Sequence, residues 1–257
     1  MSSDVSRDAR VASYDGAPVD ALAAQLGLRS VVAFSTIGST LDVAHSLATR
    51  GPSNGTLVVA DAQSAGRGRM GRTWQSEAGA GVWLTLIEQP PAGPALDVLS
   101  LRIGLALAPA LEPLAESSIR LKWPNDLYVR DRKLAGVLVE ARWRDGVPEW
   151  VAIGVGINVR VPRSQPKAAG LIDGTRRVDV LTRAVTAIRK AVAQTGPLTA
   201  GELTDFAARD LAVGRTCLEP VHGRVLGIDA SGALKVDVGS EVVLARGGSL
   251  VLQEDGP

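Results

Sequence analysis

The stretch GRGRMGRTW at residues 66–74 combines three glycines with three arginines and ends on a tryptophan. Glycine lets backbone N–H groups approach an anion closely and permits positive φ angles. The guanidinium groups of Arg67, Arg69 and Arg72 suit charge-assisted, bidentate hydrogen bonds to phosphate or carboxylate oxygens. We therefore predict that this segment, which we name the arginine loop, binds a polyanion.

Two apolar runs flank the arginine loop, TLVVA at residues 56–60 and VWLTLI at residues 82–87. Short apolar, β-branched runs are typical of strands. An arginine-rich segment can also be a solvated turn or an RNA-binding tail. Because this one is held between two predicted core strands, the sequence favours a nucleotide-phosphate or other anion site over a nucleic-acid site.

The composition predicts one large globular domain with a small appendage. The chain has 257 residues, of which 46% are hydrophobic and 21% are charged, and this is enough to bury a full core. The 28 basic and 27 acidic residues give a formal net charge of +1. Because this balance favours neither nucleic acid nor a membrane surface as partner, we expect any strong positive field to be local.

Cysteine and histidine usage indicates a reducing compartment. Cys217 is the only cysteine, and the two histidines are far apart in the sequence, so we expect no disulfide and no His/Cys metal cluster. The first ten residues mix charges without an apolar stretch, which is not typical of a signal peptide. Charged residues and prolines interrupt the apolar stretch at 98–114. We therefore expect a buried helix there, and a soluble, cytoplasmic protein that does not enter a membrane.

Local patterns divide the chain into an N-terminal segment at 1–28 with one short helix, a main domain at 29–212 and a β-rich module at 213–257. A module of this size buries little surface alone, so we expect it to pack against the main domain. The predicted strands lie at 31–34, 56–60, 82–87 and 150–159, with a charged-tip hairpin around 130–133. The predicted helices lie at 39–51, 98–114, 178–194 and 201–211.

Four segments place glycine and polar residues where predicted strands end. They are GST at 38–40, QSAGRGRMGRTW at 63–74, KWPNDLYVRDRKLAG at 122–136 and GVGIN at 154–158. Loops at strand ends commonly form binding sites. If the four segments converge, they bring cations, a carboxylate and neutral hydrogen-bonding groups to one cleft, which suits phosphoryl or nucleotidyl transfer.

In order and spacing, these segments resemble motifs of biotin protein ligases: GRGRxGRxW, KWPND, a lysine seven residues after that aspartate within KLAG, and GxGxN. The resemblance extends over residues 31–252. It implies an α+β fold, with a catalytic domain like that of class II aminoacyl-tRNA synthetases, built on a mixed sheet with flanking helices, and a small C-terminal SH3-like β-barrel. It also implies that biotin and ATP, with Mg²⁺, form biotinyl-5′-AMP. A lysine of a biotin carboxyl carrier domain of an acyl-CoA or pyruvate carboxylase then receives the biotinyl group.

The resemblance also implies roles for single residues. The catalytic residues would be Lys133, Arg69, Arg72 and Asp126, with Asp126 as the Mg²⁺ ligand. The biotin-binding residues would be Ser39, Thr40, Gln63, Gly66, Arg67, Arg69, Lys133, Gly136, Leu138 and Gly154. The nucleotide-binding residues would be Arg69, Trp74, Lys133, Ile157 and Asn158.

Structural alternatives stay open for several of these residues. Lys133 also fits a solvated hairpin charge, and Asp126 fits a turn-capping residue. Ser39 is a typical helix N-cap, and Trp74 fits a core anchor. Lys122 either pairs with Asp126 or contributes positive field.

Three positions depart from the family pattern, in which Gly38 is commonly Asp, Leu41 is commonly Asn and Gly81 is frequently Asn. The first two departures call the polar support of Thr40 into question. The N-terminal segment is too short for a helix-turn-helix domain, so we expect no nucleic-acid partner. Monomer and homodimer both stay open. The alternative functions are a lipoate-protein ligase or octanoyltransferase, a nucleic-acid-binding module, and an inactive ligand-binding protein.

Overall fold

The computed structural model describes residues 10–51, 53–89 and 93–253 of the chain. The strands are β1 Arg10–Val11, β2 Ser13–Tyr14, β3 Ala17–Pro18, β4 Ser30–Ile37, β5 Thr56–Gln63, β6 Gly81–Glu88, β7 Ile119–Lys122, β8 Asp126–Val129, β9 Arg132–Arg144, β10 Val147–Asn158, β11 Thr216–Glu219, β12 Gly223–Ile228, β13 Leu234–Asp237, β14 Val242–Ala245 and β15 Val251–Leu252. The helices are α1 Val19–Leu26, α2 Thr40–Ala48, α3 Leu99–Leu111, α4 Arg177–Val192 and α5 Ala200–Arg209. Among the described residues, no helix is both long and apolar enough to cross a membrane.

The main sheet has eight strands in the order β1-β4-β5-β6-β10-β9-β8-β7. Its β4 and β5 are parallel, whereas its other described pairs are antiparallel. The parallel register sets Ile37 beside Gln63. Because both strands end there, the segments that follow them leave the sheet at the same edge, where α/β sheets commonly bind ligands.

The sheet is covered by helices on both faces, as predicted. In β5, Leu57 and Val59 join the larger apolar cluster, which also receives buried residues of α1, α3, α4 and α5. Val58 and Ala60, which point to the other face, pack with α2. This alternation follows from the two-residue period of a strand, and it explains why β5 is almost continuously apolar.

Most of the predicted elements are present, with shifted ends. The helix predicted from Ser39 is α2, and the Ser39 side chain accepts a hydrogen bond from Leu41 N at 3.3 Å. The helix predicted at 98–114 ends at Leu111 and continues as the 3₁₀ turn Glu112–Leu114. The N-terminal segment contains the predicted helix α1, but β1 also joins the main sheet, with Arg10 opposite Phe34.

The C-terminal module is a five-stranded sheet in the order β14-β13-β12-β11-β15. Its buried residues, such as Val225 and Leu234, belong to the same apolar cluster as α3. The indole Nε1 of Trp123 donates to the Gly232 carbonyl at 2.9 Å and joins the module to the main domain. The module therefore packs against the main domain, as predicted. Its described strands form an open sheet, so the closed SH3-like barrel stays a prediction.

An ion pair with a buried arginine joins α3 to α5; the Glu202 side chain is 21% exposed. The Arg102 side chain is 3% exposed, and its Nε donates to Glu202 Oε1 at 2.5 Å. Burial alone would raise the pKa of Glu202, but hydrogen bonds from Arg102 and Thr199 outweigh burial and lower it. We expect Arg102→Met to lower the free energy of unfolding by about 2–4 kcal/mol, because it removes a buried guanidinium that donates to Glu202 and to the Gly196 and Pro197 carbonyls. Urea denaturation measures this loss.

An ion pair whose arginine is exposed provides the matched control. Arg144 Nε lies 2.7 Å from Glu149 Oε1, and the Arg144 side chain is 73% exposed. Arg144→Met should therefore change the free energy of unfolding by less than about 1 kcal/mol. Equal losses for the two variants would contradict a special role for the pair with the buried arginine.

Candidate active site

A cavity of about 290 Å³ opens at the edge of the main sheet where β4 and β5 end. Residues of all four segments singled out in the sequence line it, so these segments converge. Of the predicted site residues, the cavity lining contains Ser39, Thr40, Gln63, Arg67, Arg69, Arg72, Trp74, Asp126, Lys133, Gly136, Leu138 and Gly154.

Three predicted site residues lie outside this lining. A Cβ placed on Gly66 would lie 2.4 Å from the Trp74 carbonyl oxygen, so Gly66 is packed against the returning strand of the arginine loop. Ile157 is fully buried. Asn158 is also buried, and its Nδ2 donates to the Lys133 carbonyl at 3.4 Å. In this structure Asn158 therefore supports the backbone that carries Lys133.

One end of the cavity is a fixed network of neutral hydrogen-bonding groups. Gln63 Oε1 accepts from Thr40 N at 2.8 Å and from Thr40 Oγ1 at 3.1 Å, while Gln63 Nε2 donates to Ser76 Oγ at 2.8 Å. Thr85 Oγ1 donates to Thr40 Oγ1 at 2.9 Å. Thr40 therefore has polar support from Gln63 and Thr85, despite the departures at neighbouring positions.

Two of the three departures from the family pattern have local explanations. A Cβ on Gly81 would lie 2.4 Å from both the Ile157 carbonyl oxygen and the Trp83 ring, so the Trp83 side chain leaves no room for a larger residue there. Leu41 Cδ1 lies 3.2 Å from a Cβ built on Gly154, so Leu41 packs over that part of the cavity wall. Among the described residues, no atom lies within 4 Å of a Cβ built on Gly38, so this departure has no structural explanation.

The other end of the cavity is positively charged. Burial lowers the pKa of Lys122; Asp126 opposes this, and the cations Lys133, Arg215 and Arg72 lower it further. Burial is likewise the main cause of a lowered pKa at Arg69. Cations that depress one another's pKa mark a local excess of positive charge, which a bound anion would relieve. The near-neutral net charge led us to expect any strong positive field to be local, and this end of the cavity has such a field.

Lys133 and Asp126 form an ion pair at the centre of this charged end. Lys133 Nζ lies 2.8 Å from Asp126 Oδ2 and 5.1 Å from the centre of the Trp74 ring. The other oxygen, Asp126 Oδ1, is buried and has no hydrogen-bond partner among the described residues. The pair leaves this oxygen available to a further donor or cation.

The arginine loop is a tight turn that returns on itself. Arg67 bridges to Thr73, Gly68 N donates to the Arg72 carbonyl at 2.7 Å, and Trp74 N donates to the Gly66 carbonyl at 2.9 Å. The tip contacts other segments, because Arg69 Nη1 donates to Asn125 Oδ1 at 3.3 Å and Arg72 Nη2 donates to Ser249 Oγ at 2.8 Å. The loop thus places Arg69 and Arg72 over the charged end of the cavity.

Trp74 lies flat against two glycines of the sheet. A Cβ on Gly156 would lie 2.4 Å from Trp74 Nε1, and a Cβ on Gly136 would lie 2.9 Å from Trp74 Cζ3. The ring also contacts Trp83 edge-on, with the ring centres 6.4 Å apart. These glycines therefore provide the space for an aromatic ring beside Lys133.

Several residues of the site were not predicted from the sequence, and four of them make informative contacts. Thr85 was hidden in an apolar run, where a single polar residue was the available signal. Asn125 holds Arg69, and its Nδ2 donates to the Val137 carbonyl at 2.7 Å; its place in the KWPND motif was the signal. Ser249 and Leu250 line the cavity from the C-terminal module, and no local pattern predicts that contact.

The chain matches a known family. A sequence profile of the biotin/lipoate A/B protein ligase family matches residues 33–158. A biotin--[acetyl-CoA-carboxylase] ligase of Mycobacterium tuberculosis (strain ATCC 25618 / H37Rv) is 32% identical over 245 residues, which cover 88% of this chain and 90% of that protein. The bifunctional ligase/repressor BirA of Escherichia coli (strain K12) is 45% identical over 111 residues, which cover 43% of this chain and 35% of that protein.

The fold agrees with these relatives. The structure of the biotin protein ligase from Aquifex aeolicus in complex with biotin and ATP superposes with a TM-score of 0.73 at 26% identity, covering 89% of this chain and 100% of that chain. The match spans only 35% to 38% of the BirA relatives of Escherichia coli and Bacillus subtilis. The match to the Mycobacterium tuberculosis protein extends over most of both chains. The chain therefore belongs to the biotin/lipoate A/B protein ligase family.

Proposed function

We propose that the protein is an ATP-dependent biotin protein ligase. The observation that carries the proposal is the division of one cavity into a neutral end, fixed by Thr40, Gln63 and Thr85, and a cationic end around Lys133. The neutral end supplies donors and acceptors for a ureido ring. The cationic end supplies the charge needed to bring a carboxylate and a phosphate together.

In the proposed first step, a carboxylate oxygen of biotin attacks the α-phosphorus of ATP. The bond from that phosphorus to the bridging oxygen of the β-phosphate breaks, and pyrophosphate leaves. Both reactants are anions, so bringing them together requires cations that are already in place. Lys133, Arg69 and Arg72 fill this role, with Lys133 between the biotin carboxylate and the α-phosphate.

In the proposed second step, the neutral amine of an acceptor lysine attacks the acyl carbon of biotinyl-5′-AMP. The acyl–oxygen bond breaks, AMP leaves, and the nitrogen loses a proton as the amide forms. A lysine of a biotin carboxyl carrier domain of an acyl-CoA or pyruvate carboxylase is the proposed acceptor. The relative named biotin--[acetyl-CoA-carboxylase] ligase supports this choice.

The remaining assignments follow the same proposal. Ser39, Gly66, Arg67, Gly136, Leu138 and Gly154 join Thr40, Gln63, Arg69 and Lys133 in binding biotin. Trp74, Ile157 and Asn158 join Arg69 and Lys133 in binding the nucleotide. The Asn158 amide, which supports the Lys133 backbone in this structure, is the group proposed to reach the base edge.

Asp126 suits a Mg²⁺ ion that arrives with the nucleotide. Its buried Oδ1 has no hydrogen-bond partner in the described part of the chain, and Mg²⁺ is often held by one or two carboxylates plus substrate phosphates. No group of three or more His, Cys, Asp or Glu side chains that would hold a metal unaided occurs among the described residues. When bound, the ion would neutralise phosphate charge.

Organisation and location complete the proposal. We assign residues 1–28, 29–212 and 213–257 to an N-terminal segment, a catalytic domain related to class II aminoacyl-tRNA synthetases and an SH3-like module. The enzyme acts in the cytoplasm as a monomer or homodimer, without nucleic acid. The near-neutral net charge of +1 supports the absence of a nucleic-acid partner.

The decisive experiment supplies the purified protein with ATP and Mg²⁺ plus either biotin, lipoate or octanoate. Pyrophosphate release is measured together with the bound acyl-adenylate, which mass spectrometry identifies. We expect turnover with biotin alone. Turnover with lipoate or octanoate alone would instead place the protein with the lipoate-protein ligases or octanoyltransferases, and inactivity with all three would contradict an acyl-adenylate-forming enzyme.

A further inference from the structure

Two carboxylates outside the cavity lining hold the side chain of Arg67. Arg67 Nη1 donates to Asp42 Oδ1 at 2.8 Å, and Arg67 Nη2 donates to Glu140 Oε1 at 2.5 Å. Asp42 belongs to α2 and Glu140 to β9. The Asp42 side chain is 59% exposed, whereas that of Glu140 is 29% exposed. Because the more buried carboxylate is less screened by solvent, we expect Glu140 to bind the Arg67 guanidinium more strongly than Asp42 does.

A histidine and a tryptophan fix the orientation of Glu140. Trp150 Nε1 lies 3.2 Å from His45 Nδ1, and His45 Nε2 lies 3.0 Å from Glu140 Oε2. An indole N–H only donates, so His45 Nδ1 accepts and His45 Nε2 carries the proton that is donated to Glu140. Both oxygens of Glu140 therefore face donors, one from His45 and one from Arg67.

Arg67 lies at the base of the arginine loop. Its backbone bridges to Thr73, so it forms one side of the base of the loop. Arg69 and Arg72 lie between Arg67 and Thr73, and Trp74 follows Thr73 directly. Glu140 lies on β9, the strand that also carries Lys133 and Gly136 of the cavity wall. The Arg67–Glu140 pair thus joins the base of the loop to the strand that forms part of the cavity.

We propose that Glu140 is a positioning residue that, through Arg67, holds the base of the arginine loop in its ligand-binding shape. The identity of the ligand, biotin, rests on the proposed function. The loop backbone near Arg67 belongs to the proposed biotin site, so a loosened base weakens biotin binding. Arg69 and Arg72, the loop residues proposed to bind phosphate, have their own contacts with Asn125 and Ser249. We therefore expect the maximal rate to change less than biotin affinity does.

Glu140→Gln is the sharpest test because it keeps the size of the side chain. An amide offers one oxygen and one NH₂ group, whereas His45 and Arg67 both donate toward this side chain. In either amide orientation, one donor therefore faces another donor. We expect biotin binding to weaken about three- to tenfold, a range that allows for partial exposure of the pair, while kcat at saturating biotin and ATP changes less than about twofold.

The loop itself gives a readout that requires no ligand. Amide hydrogen exchange of residues 66–74, followed by mass spectrometry, should be faster in Glu140→Gln than in the unmodified protein. The matched control is Glu149→Gln on the same hairpin, which removes the charge that pairs with the exposed Arg144; the Glu149 side chain is 24% exposed, close to the 29% of Glu140. We expect this control to leave loop exchange and biotin affinity unchanged.

A double variant tests whether Glu140 acts through Arg67. In Arg67→Met the contact is already lost, so adding Glu140→Gln should weaken biotin binding by less than about twofold more. Unchanged loop exchange and unchanged biotin affinity in Glu140→Gln, or fully additive effects in the double variant, would overturn the proposal. Failure of the unmodified protein to bind biotin would instead refute the proposed function, and loop exchange would still decide whether Glu140 holds the loop.

Discussion

Lys133→Met is expected to lower biotin-dependent pyrophosphate release by about 10²–10³-fold, the usual loss when one preorganised donor to developing charge is removed. Lys133 Nζ lies 2.8 Å from Asp126 and faces the Trp74 ring, in the middle of the cationic end of the cavity. Met has a similar length but no charge. Without the ammonium group, the two reacting anions meet with less neutralisation.

Two measurements separate chemistry from folding in this variant. Arg132→Met removes a neighbouring exposed charge outside the cavity lining and should keep normal pyrophosphate release. Lys133→Met should retain cooperative thermal unfolding, and it should transfer biotin from added biotinyl-5′-AMP with a smaller loss than in the first step. Near-normal pyrophosphate release in Lys133→Met would contradict a role of Lys133 in forming the adenylate.

Gly66→Ala should weaken biotin binding by about 100-fold, because it displaces the groups that close one side of the cavity. The added Cβ would lie 2.4 Å from the Trp74 carbonyl oxygen and 3.0 Å from both Gln63 Nε2 and Ser76 Oγ. One methyl group therefore pushes on the returning strand of the arginine loop and on the amide that supports Thr40. Isothermal titration calorimetry with biotin measures the loss.

Gly38→Ala is the matched control, since no atom in the described part of the chain lies within 4 Å of a Cβ built on Gly38. It adds the same methyl group beside the same site and should change the biotin dissociation constant less than about threefold. Equal losses in the two variants would show that general backbone stiffening, rather than the contact with Trp74, explains the effect. Unchanged binding in Gly66→Ala would contradict the role of this packing.

Much of the fold follows from short-range patterns. Ser39 was predicted as an N-cap, and α2 begins directly after it. The charged tip before Lys133 predicted the hairpin of β8 and β9. The runs after residue 214 predicted the strands of the C-terminal module. The short strand β1 escaped prediction, because two residues give no alternation and its partner β4 decides its conformation.

The candidate site was predictable where it lies in motifs and unpredictable where it depends on distant contacts. Arg69, Lys133 and Asp126 stand in recognisable segments, and the structure brings them together. The contact of Arg67 with Glu140 joins residues 73 positions apart, and that of Arg72 with Ser249 joins residues 177 apart. Such pairings are set by strand order and module packing, which local sequence does not encode.

The contribution of Ser249 and Leu250 to the cavity also has a consequence for synthesis of the protein. The chain leaves the ribosome from its N-terminal end, so the first 210 residues and their main sheet emerge before the last strands. Until those strands dock, the Trp123 indole lacks its carbonyl partner and the mouth of the cavity lacks one side. A nascent chain should therefore complete its ligand-binding cavity abruptly, and only after Ser249 and Leu250 have left the ribosome.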